Sequence, residues 1–236
     1  MTFLEGRGLR VSYGRLEVLH GVDVDVDEGK IVCVLGANAA GKTTLIKAIL
    51  GLTPVSGGTI TFRGERIDGM RPNQIIRRGF AVVPENAQVF EELSVLENLK
   101  MGLYVKLQEV DFAACADKMF ALYPVLGERR NQNAGLLSGG ERQMLAVARA
   151  LISDPAVLIM DSPSMGLAPR FVKQQFETIR QLNADSGVTV MVVEQNANMA
   201  LALSHSGYVL QNGEIALAGP SQDLLNDDHL KRAYLA

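Results

Sequence analysis

A run of eight residues near the start of the chain has the types and spacing that can hold a phosphate group. Residues 36–43 read G-A-N-A-A-G-K-T. Gly36 and Gly41 permit backbone torsions that other residues resist, so successive backbone N–H groups can turn inward around a β-phosphate at the start of a helix. The residues whose N–H groups we expect to take part are Gly36, Asn38, Ala39, Ala40 and Gly41.

The end of this run adds a charge and a hydroxyl group. Lys42 brings a mobile positive charge, and Thr43 places a hydroxyl where a Mg²⁺ ion bridging the β- and γ-phosphates would lie. Thr44 is expected to assist through its backbone N–H. A glycine-rich loop can match this pattern by chance, but here the loop stands between a buried strand and a helix, which favours nucleotide binding.

A second candidate is Asp161, which directly follows the apolar run 156–160. A carboxylate at the C-terminal edge of a strand faces the crevice where open sheets bind ligands. An aspartate that closes a strand is common by itself. Beside a phosphate loop it predicts a Mg²⁺ ligand that acts through water.

Residues 137–143, L-S-G-G-E-R-Q, allow two compatible interpretations. Ser138 with Glu141 three residues later predicts a helix capping box. The same helix start, with Gly139 and Gly140, would offer free N–H groups, a hydroxyl and the positive end of a helix dipole to an anion.

Hydrophobic periodicity predicts the elements that must position these residues. Val22, Val24 and Val26 alternate with aspartates, which indicates an antiparallel β layer at the start of the fold. Continuous apolar runs at 31–35, 156–160 and 188–193 predict buried strands, and the helical pattern through 171–182 predicts a βαβ unit in a parallel sheet. A turn is expected at 211–213, and Ser221 is a candidate helix cap. The fold class is therefore α/β.

The pattern becomes helical from residue 85 to residue 154. Two apolar stripes at helical spacing occupy this stretch: Leu96, Leu99, Leu103 and Leu107, then Phe112, Cys115, Met119 and Leu122. We interpret 85–154 as a helical subdomain inserted into one domain, 1–236, whose catalytic core comprises 1–84 and 155–236.

The composition argues against several classes of protein. The 47% of hydrophobic residues in a chain of 236 can form a sizeable core. The net charge of −3 has both signs mixed throughout, so no basic face suited to nucleic acid is evident. No apolar run approaches the about 20 residues of a membrane-spanning helix. The N-terminus, M-T-F-L-E-G-R-G-L-R, carries charges where a signal peptide is apolar, so we expect a cytoplasmic location.

The order of these motifs resembles that of ABC transporter ATPases, and the resemblance covers essentially the whole chain. G-A-N-A-A-G-K-T is followed by L-S-G-G-E-R-Q and then by A-V-L-I-M-D at 156–161. More narrowly, V-P-E at 83–85, S-M-G-L-A-P at 164–169, V-E-Q-N at 193–196 and R-A-Y-L at 232–235 are similar to the branched-chain amino acid uptake subfamily. Close relatives of that subfamily carry urea or short amides. The resemblance implies a P-loop NTPase (RecA-like) core that binds ATP and Mg²⁺.

The resemblance also implies residue roles. Tyr13 would stack on adenine, although a buried aromatic in the sheet is a fair alternative. Ser138 and Gly140, with Gly139 and Glu141 beside them, would contact the γ-phosphate bound to a partner subunit, so that two chains enclose two ATP molecules head to tail. The segment 85–90 resembles the loop that couples nucleotide state to a short helix of a membrane subunit. The candidates for that groove are Val89, Phe90 and Leu93.

The partners implied by the resemblance follow from these roles. The chain would form a homodimer, or a heterodimer with a second ABC ATPase subunit, on integral-membrane permease subunits. It would lie peripherally on the inner face of the cell membrane and act indirectly with a periplasmic or extracellular substrate-binding protein. Nucleic acid is not expected as a partner.

The sequence departs from the wider family pattern at four positions. Glu85 replaces the usual glutamine, Gln195 the usual switch histidine and Ala168 the usual aspartate. By resemblance, Glu85 joins Thr43 and Asp161 as a Mg²⁺ ligand. The fourth departure is Ser162, which stands where the family carries the glutamate that polarises the attacking water. Ser162, Gln195 and Glu85 are thus the candidates at the reacting end of the triphosphate.

A serine cannot accept a proton near neutral pH as a carboxylate can, so we expect ATP binding and dimer closure to survive while hydrolysis by this chain is slow. Gln195 orienting water, or a companion ATPase subunit, could supply the missing function. Natural divergence and a deliberate substitution both fit Ser162.

Two other classes of ABC ATPase share these motifs. DNA-handling members need long coiled-coil or zinc-bearing insertions between the phosphate loop and L-S-G-G-E-R-Q, and this sequence has neither. A soluble regulator that binds ATP and dimerises is the other alternative. The favoured function is an importer ATPase for branched-chain or hydrophobic amino acids, with urea or short amides as the alternative substrates.

Overall fold

The computed structural model describes residues 2–106, 108–227 and 230. Leu107 of the first predicted stripe and the R-A-Y-L segment lie outside these residues.

The strands of the described chain form two sheets. The first contains β1 (Thr2–Tyr13), β2 (Leu16–Asp27), β4 (Gly57–Phe62) and β5 (Glu65–Arg66) in the order β2-β1-β4-β5, with antiparallel pairs throughout. The second contains β3 (Ile31–Leu35), β6 (Phe80–Val83), β7 (Val157–Asp161), β8 (Thr189–Glu194), β9 (Ser206–Gln211) and β10 (Glu214–Pro220), in the order β10-β9-β3-β8-β7-β6. Only the β9–β10 hairpin is antiparallel in this second sheet. The predicted parallel core and antiparallel layer are both confirmed.

The helices lie in the connections between these strands, except for α9, which follows β10. They are α1 (Lys42–Ile49), α2 (Pro72–Arg77), α3 (Val95–Gly102), α4 (Phe112–Leu122), α5 (Pro124–Glu128), α6 (Gly139–Leu151), α7 (Pro169–Ser186), α8 (Ala197–Leu203) and α9 (Ser221–Asn226), with a 3₁₀ turn at Ala134–Leu136. The predicted βαβ unit is observed as β7-α7-β8. Helices α3 to α6 lie within the stretch interpreted as an inserted subdomain, and the division of the chain at 84/85 and 154/155 stays a prediction. None of the described helices combines the length and apolarity that crossing a bilayer requires.

Three buried clusters pack against the parallel sheet, and one of them joins α8 and α9 to β3 and β9. On one side, Leu45 and Ile49 of α1 pack in one cluster with Val24 of β2 and Val34 of β3, which places α1 between the two sheets. On the other side, side chains of α6 and α7 pack with Leu158 and Met160 of β7. Because α1 is held on both sides, the loop that precedes it is fixed against the sheet edge.

The observed boundaries differ slightly from the predicted ones. The strand predicted at 156–160 includes Asp161, and the one predicted at 188–193 extends to Glu194, so two carboxylates belong to strand ends. Ser221 was wrong as a cap: it is the first residue of α9, Pro220 is at the cap position, and the Ser221 hydroxyl contacts that of Ser204 at 2.9 Å. Proline at the preceding position fixes an extended backbone, which starts the helix without a side-chain cap.

Candidate functional site

The loop between β3 and α1 has a backbone that depends on its two glycines. Gly41 has φ +108°, and a Cβ atom there would lie 2.8 Å from a methyl carbon of Leu19. A Cβ atom at Gly36 would lie 2.5 Å from the carbonyl oxygen of Leu210. The neighbouring strands thus leave no room for side chains at these positions, which is the reason for the glycine spacing in the sequence.

Lys42 begins α1 and is nearly enclosed, with 6% of its surface exposed. Its ammonium group donates to the carbonyl oxygens of Gly36 and Ala37, each at 2.8 Å. Burial lowers the pKa of Lys42, while the negative charges of Asp161 and Glu194 act in the opposite direction. The loop therefore concentrates a desolvated positive charge at the point where backbone N–H groups and the N-terminus of α1 also attract anions.

Thr43 and Asp161 come together across the sheet edge. The Thr43 hydroxyl donates to Asp161 Oδ2 at 3.2 Å, and only 6% of the aspartate surface is exposed. Burial raises the pKa of Asp161, and the charge of Glu85 acts in the same direction. Hydroxyl and carboxylate oxygens are ligands that Mg²⁺ accepts, and a buried carboxylate with a raised pKa gains from a nearby cation, so these residues fit the ion.

Thr43 and Asp161 are too few to hold a metal ion by themselves. Among the described residues, no three His, Cys, Asp or Glu side chains cluster so as to hold a metal ion by themselves. Mg²⁺ characteristically keeps water and takes oxygens from substrate phosphates. The arrangement thus suits an ion that arrives with a phosphate ligand.

A cavity of about 320 Å³ brings most of the predicted residues together. It is lined by Leu16, Val18, Asn38, Ala39, Gly41, Lys42, Thr43, Thr44, Glu85, Ser162 and Gln195. Asp161 contacts this group through Thr43. The predicted residues Gly36 and Ala40 belong to the same loop but do not line the cavity.

Ser162 and Gln195 occupy two neighbouring loops at the cavity. Ser162 follows β7, is 8% exposed and adopts a left-handed conformation with φ +48°, and its N–H donates to Val193 O at 2.8 Å. Gln195 follows β8 and is exposed, and its side-chain amide contacts Asn38 Oδ1 of the phosphate loop. The structure therefore places the Ser162 hydroxyl and the Gln195 amide at the cavity, whose lining also includes Glu85.

Tyr13 lies at the end of β1, and 44% of its surface is exposed. Its hydroxyl is 3.4 Å from Thr53 Oγ1, and hydrogen bonds with Thr53 and Thr44 lower its pKa. Tyr13 is not among the residues that line the cavity. The stacking of Tyr13 on adenine thus stays a prediction. The alternative, a Tyr13 ring buried in the sheet, is inconsistent with the exposure of this side chain.

The L-S-G-G-E-R-Q motif forms the start of α6, away from the cavity lining. The capping box is confirmed: Ser138 N donates to Glu141 Oε2 at 2.8 Å, and Glu141 N donates to Ser138 Oγ at 3.3 Å. Ser138 and Gly139 are exposed, whereas Gly140 is buried against Phe171. A Cβ atom at Gly140 would lie 3.0 Å from the Phe171 ring, so glycine allows α6 and α7 to pack closely.

The segment that follows Glu85 has an unusual backbone. Asn86, Ala87 and Gln88 all have positive φ, between +42° and +62°. Arg149 of α6 donates to Gln88 O at 2.9 Å and Ala87 O at 3.4 Å, which holds this strained segment in place.

The predicted coupling residues near this segment have different environments. Phe90 is 48% exposed and lines a groove of about 250 Å³ that also contains Met101 and Arg149. Val89 and Leu93 are half-buried and do not line that groove.

Sequence reasoning missed several residues that shape the site. Leu16 and Val18 of β2 form an apolar part of the cavity, and no motif marks them. Arg149 and Asn98 position the segment that leads from Glu85. Asn98 is fully buried and bonds to Phe90, Leu93 and Ser94 through their main-chain groups. A polar residue within the apolar pattern of α3 was the available signal.

The chain is similar to known proteins over nearly its whole length. The sequence pattern of the family described as "ABC transporter" matches residues 19–165. The chain is 46% identical over 223 residues to the high-affinity branched-chain amino acid transport ATP-binding protein BraG of Pseudomonas aeruginosa, covering 94% of this chain and 95% of BraG. It is 37% identical over 227 residues to LivF of Archaeoglobus fulgidus, a probable branched-chain amino acid transport ATP-binding protein, covering 95% and 94%. Among solved structures, MJ1267, an ATP-binding cassette of an ABC transporter, is similar with a TM-score of 0.88 at 26% identity over all of both chains.

Proposed function

The chain belongs to the ABC transporter family, and from that premise we propose that it is the ATP-binding subunit of an importer for branched-chain or other hydrophobic amino acids. The observation that carries the proposal is the convergence of Lys42, Thr43 and Asp161 at the end of the phosphate loop. BraG and LivF, which are similar over nearly the whole chain, support the choice of substrate.

The chain's own residues would bind and orient the triphosphate. N–H groups of the loop 36–41 and the start of α1 would surround the β-phosphate, and Lys42 would leave its two carbonyl partners for phosphate oxygens. Thr43, Asp161 and Glu85 would hold a Mg²⁺ ion, which neutralises charge on the β- and γ-phosphates when bound. Leu16 and Val18 would cover the apolar side of the nucleotide.

A second ATPase chain would complete the site. Ser138 and Gly139 are exposed at the start of α6 and lie apart from the cavity of their own chain, which supports their use on a nucleotide held by a partner. The partner is a second copy in a homodimer or a related subunit in a heterodimer. The groove beside Phe90 would receive a permease subunit on the inner face of the membrane, and a substrate-binding protein would act indirectly through that permease.

Hydrolysis by this chain is proposed to be slow because Ser162 occupies the position of the water-polarising glutamate. The hydroxyl can hydrogen-bond to water but cannot take its proton near neutral pH. Binding of ATP and closure of the dimer do not require that proton transfer, so they are retained.

ATP-dependent uptake tests this function. The chain is purified with the membrane subunits it binds, reconstituted into vesicles with the substrate-binding protein, and supplied with internal MgATP. We expect leucine, isoleucine or valine to accumulate, and Lys42→Ala to reduce uptake to the level without ATP. Lys118→Ala, an exposed lysine of α4, is the matched control and retains uptake.

Several outcomes would contradict the proposal. Uptake of urea or a short amide in place of amino acids would favour the alternative substrate. A failure to bind any polytopic membrane protein would favour a soluble regulator, and retention on duplex DNA at moderate salt would favour a DNA-handling ATPase.

A further inference from the structure

A buried carboxylate, Glu194, lies near the nucleotide cavity, and its hydrogen bonds have no part in the site described so far. Glu194 is the last residue of β8, and only 2% of its surface is exposed. A carboxylate in such a position is costly unless hydrogen bonds compensate for the lost water. In this structure, both of its oxygens have such partners.

The two oxygens accept bonds from two different loops. Glu194 Oε1 accepts from the backbone N–H of Ser164 at 2.8 Å, and Oε2 accepts from the backbone N–H of Gln195 at 3.0 Å. Ser164 belongs to the loop after β7, which starts with the left-handed Ser162, and Gln195 begins the loop after β8. Bonds from N–H groups to a charged oxygen are stronger than those between neutral groups.

The sheet register explains how one side chain can reach both loops. Glu194 pairs with Leu35 of β3, and the preceding residue, Val193, pairs with Asp161 of β7. Strands β3, β8 and β7 are neighbours and parallel, so their carboxyl ends meet at one edge. From that edge emerge the phosphate loop, the loop with Gln195 and the loop with Ser162.

The groups around Glu194 distinguish its role from that of a metal ligand or a base. Its negative charge acts on Lys42 together with those of Asp161 and Glu85. Glu194 is not among the residues that line the cavity, and its two oxygens are occupied by main-chain donors. Apart from this effect on Lys42, it acts on the cavity through the loops it holds.

We propose that Glu194 is a positioning residue that ties the Ser162 loop to the Gln195 loop and thereby holds the Gln195 amide against Asn38 at the mouth of the cavity. The proposal rests on the proposed ATPase function. It gives the Gln195 side chain a fixed orientation toward the end of the triphosphate, in a chain that lacks the usual glutamate. A shift of about 1 Å in such a group can change a rate by about 100-fold.

The first test separates turnover from nucleotide binding. Single-turnover hydrolysis of radiolabelled ATP and MgATP affinity are measured for the full chain in its assembled complex. Glu194→Gln keeps one acceptor oxygen but turns an amide group toward an N–H donor, so one of the two bonds must break. We expect the rate to fall about 10- to 100-fold while affinity changes less than about threefold. An unchanged rate, or an equal loss of rate and affinity, would overturn the proposal.

A further variant distinguishes the hydrogen bonds of Glu194 to both loops from the effect of its charge alone. Glu194→Asp keeps the charge near Lys42 but is one methylene shorter and cannot span both loops, so it should lose turnover as well. Full turnover in Glu194→Asp would show that the charge of Glu194 is its whole role.

A double variant tests whether Glu194 acts through Gln195. In a Gln195→Ala background, Glu194→Gln should lower the rate of hydrolysis less than about twofold, because the group that Glu194 positions is gone. A full additional loss in that background would contradict the proposal.

The control and a non-catalytic measurement complete the design. Glu177 is an exposed glutamate of α7 that pairs only with Arg180 among the contacts described, so Glu177→Gln should leave the rate, the affinity and amide exchange unchanged.

Hydrogen exchange tests the two bonds without any substitution. In the unaltered chain, the N–H groups of Ser164 and Gln195 should exchange slowly with deuterium. If the Glu194 variants fail to fold, rapid exchange of these two N–H groups in the unaltered chain would still overturn the proposal. Loss of MgATP binding by the unaltered chain would refute the proposed function instead.

Discussion

The phosphate-loop cavity and the start of α6 both present groups that suit an anion, but their charges and hydrogen bonds differ. In the cavity, Lys42 and Asp161 are buried charges whose pKa values are shifted against ionisation, chiefly by burial. At the start of α6, Ser138 is exposed, and Glu141 has its pKa lowered by hydrogen bonds with Ser138 and by the charge of Arg129, against the effect of burial. In the first region burial outweighs the hydrogen bonds that the charged groups make, whereas in the second the capping box outweighs burial.

This difference fits the roles proposed for the two regions in nucleotide binding. A region in which burial disfavours the charged forms of Lys42 and Asp161 gains free energy when a triphosphate and a cation bind, so it suits primary binding. A helix start that is already capped offers a preformed surface and gains little from its own chain's nucleotide. The pair of regions thus suits a sequence of events in which ATP binds to one chain and a second chain then closes over it.

Ser162→Glu is the change with the largest expected effect, because it would give the cavity region the proton acceptor it lacks. A general base typically contributes about 10²- to 10⁴-fold in rate, so single-turnover hydrolysis in the assembled complex should rise within that range. Ser162→Gln, with a similar size and no proton acceptor, is the control and should remain slow. An unchanged rate in Ser162→Glu would show that this position does not limit hydrolysis.

A smaller effect should appear in stability, with opposite signs in the two regions. The raised pKa of Asp161 means that its ionised form destabilises the fold above that pKa, and this cost disappears as the pH falls through it. Asp161→Asn should therefore raise the melting temperature of the nucleotide-free chain at neutral pH while weakening Mg²⁺-dependent binding. The lowered pKa of Glu141 has the reverse meaning: its stabilisation is present above the unfolded pKa and is lost as the pH falls through the folded one.

Glu141→Gln is the matched variant in the second region and should lower the melting temperature at neutral pH. A change of roughly 1 kcal/mol corresponds to about 2–4 °C for a chain of this size, which scanning calorimetry resolves. Shifts of the same sign in both variants would contradict the contrast between the two regions.

The sequence predicted the elements with strong local signals and missed features set by distant contacts. Gly36, Gly41 and Lys42 could be recognised because the loop geometry is encoded within eight consecutive residues. The Ser138–Glu141 capping box could be predicted for the same reason. By contrast, Leu16 and Val18 belong to the cavity only because the antiparallel sheet brings β2 beside the phosphate loop.

Some local signals were present but ambiguous. Glu194 follows an apolar run and appeared only as one letter of V-E-Q-N, since its two hydrogen bonds depend on the register of β8 between β3 and β7. Ser221 has the residue type of a helix cap, yet the preceding Pro220 determines where α9 begins. Residue type alone could not decide which of the two positions is the cap.

The most direct test of the account compares MgATP binding by two variants of the isolated chain in calorimetric titrations. Lys42→Ala removes a buried positive charge from the cavity and should weaken binding about 100-fold, since such a loss costs about 2–5 kcal/mol and each 1.4 kcal/mol is tenfold. Ser138→Ala alters the start of α6 and should stay within about threefold of the unaltered chain, whose own affinity should depend on Mg²⁺. Equal weakening in both variants, or no Mg²⁺-dependent affinity in the unaltered chain, would contradict the assignment of primary nucleotide binding to the phosphate loop.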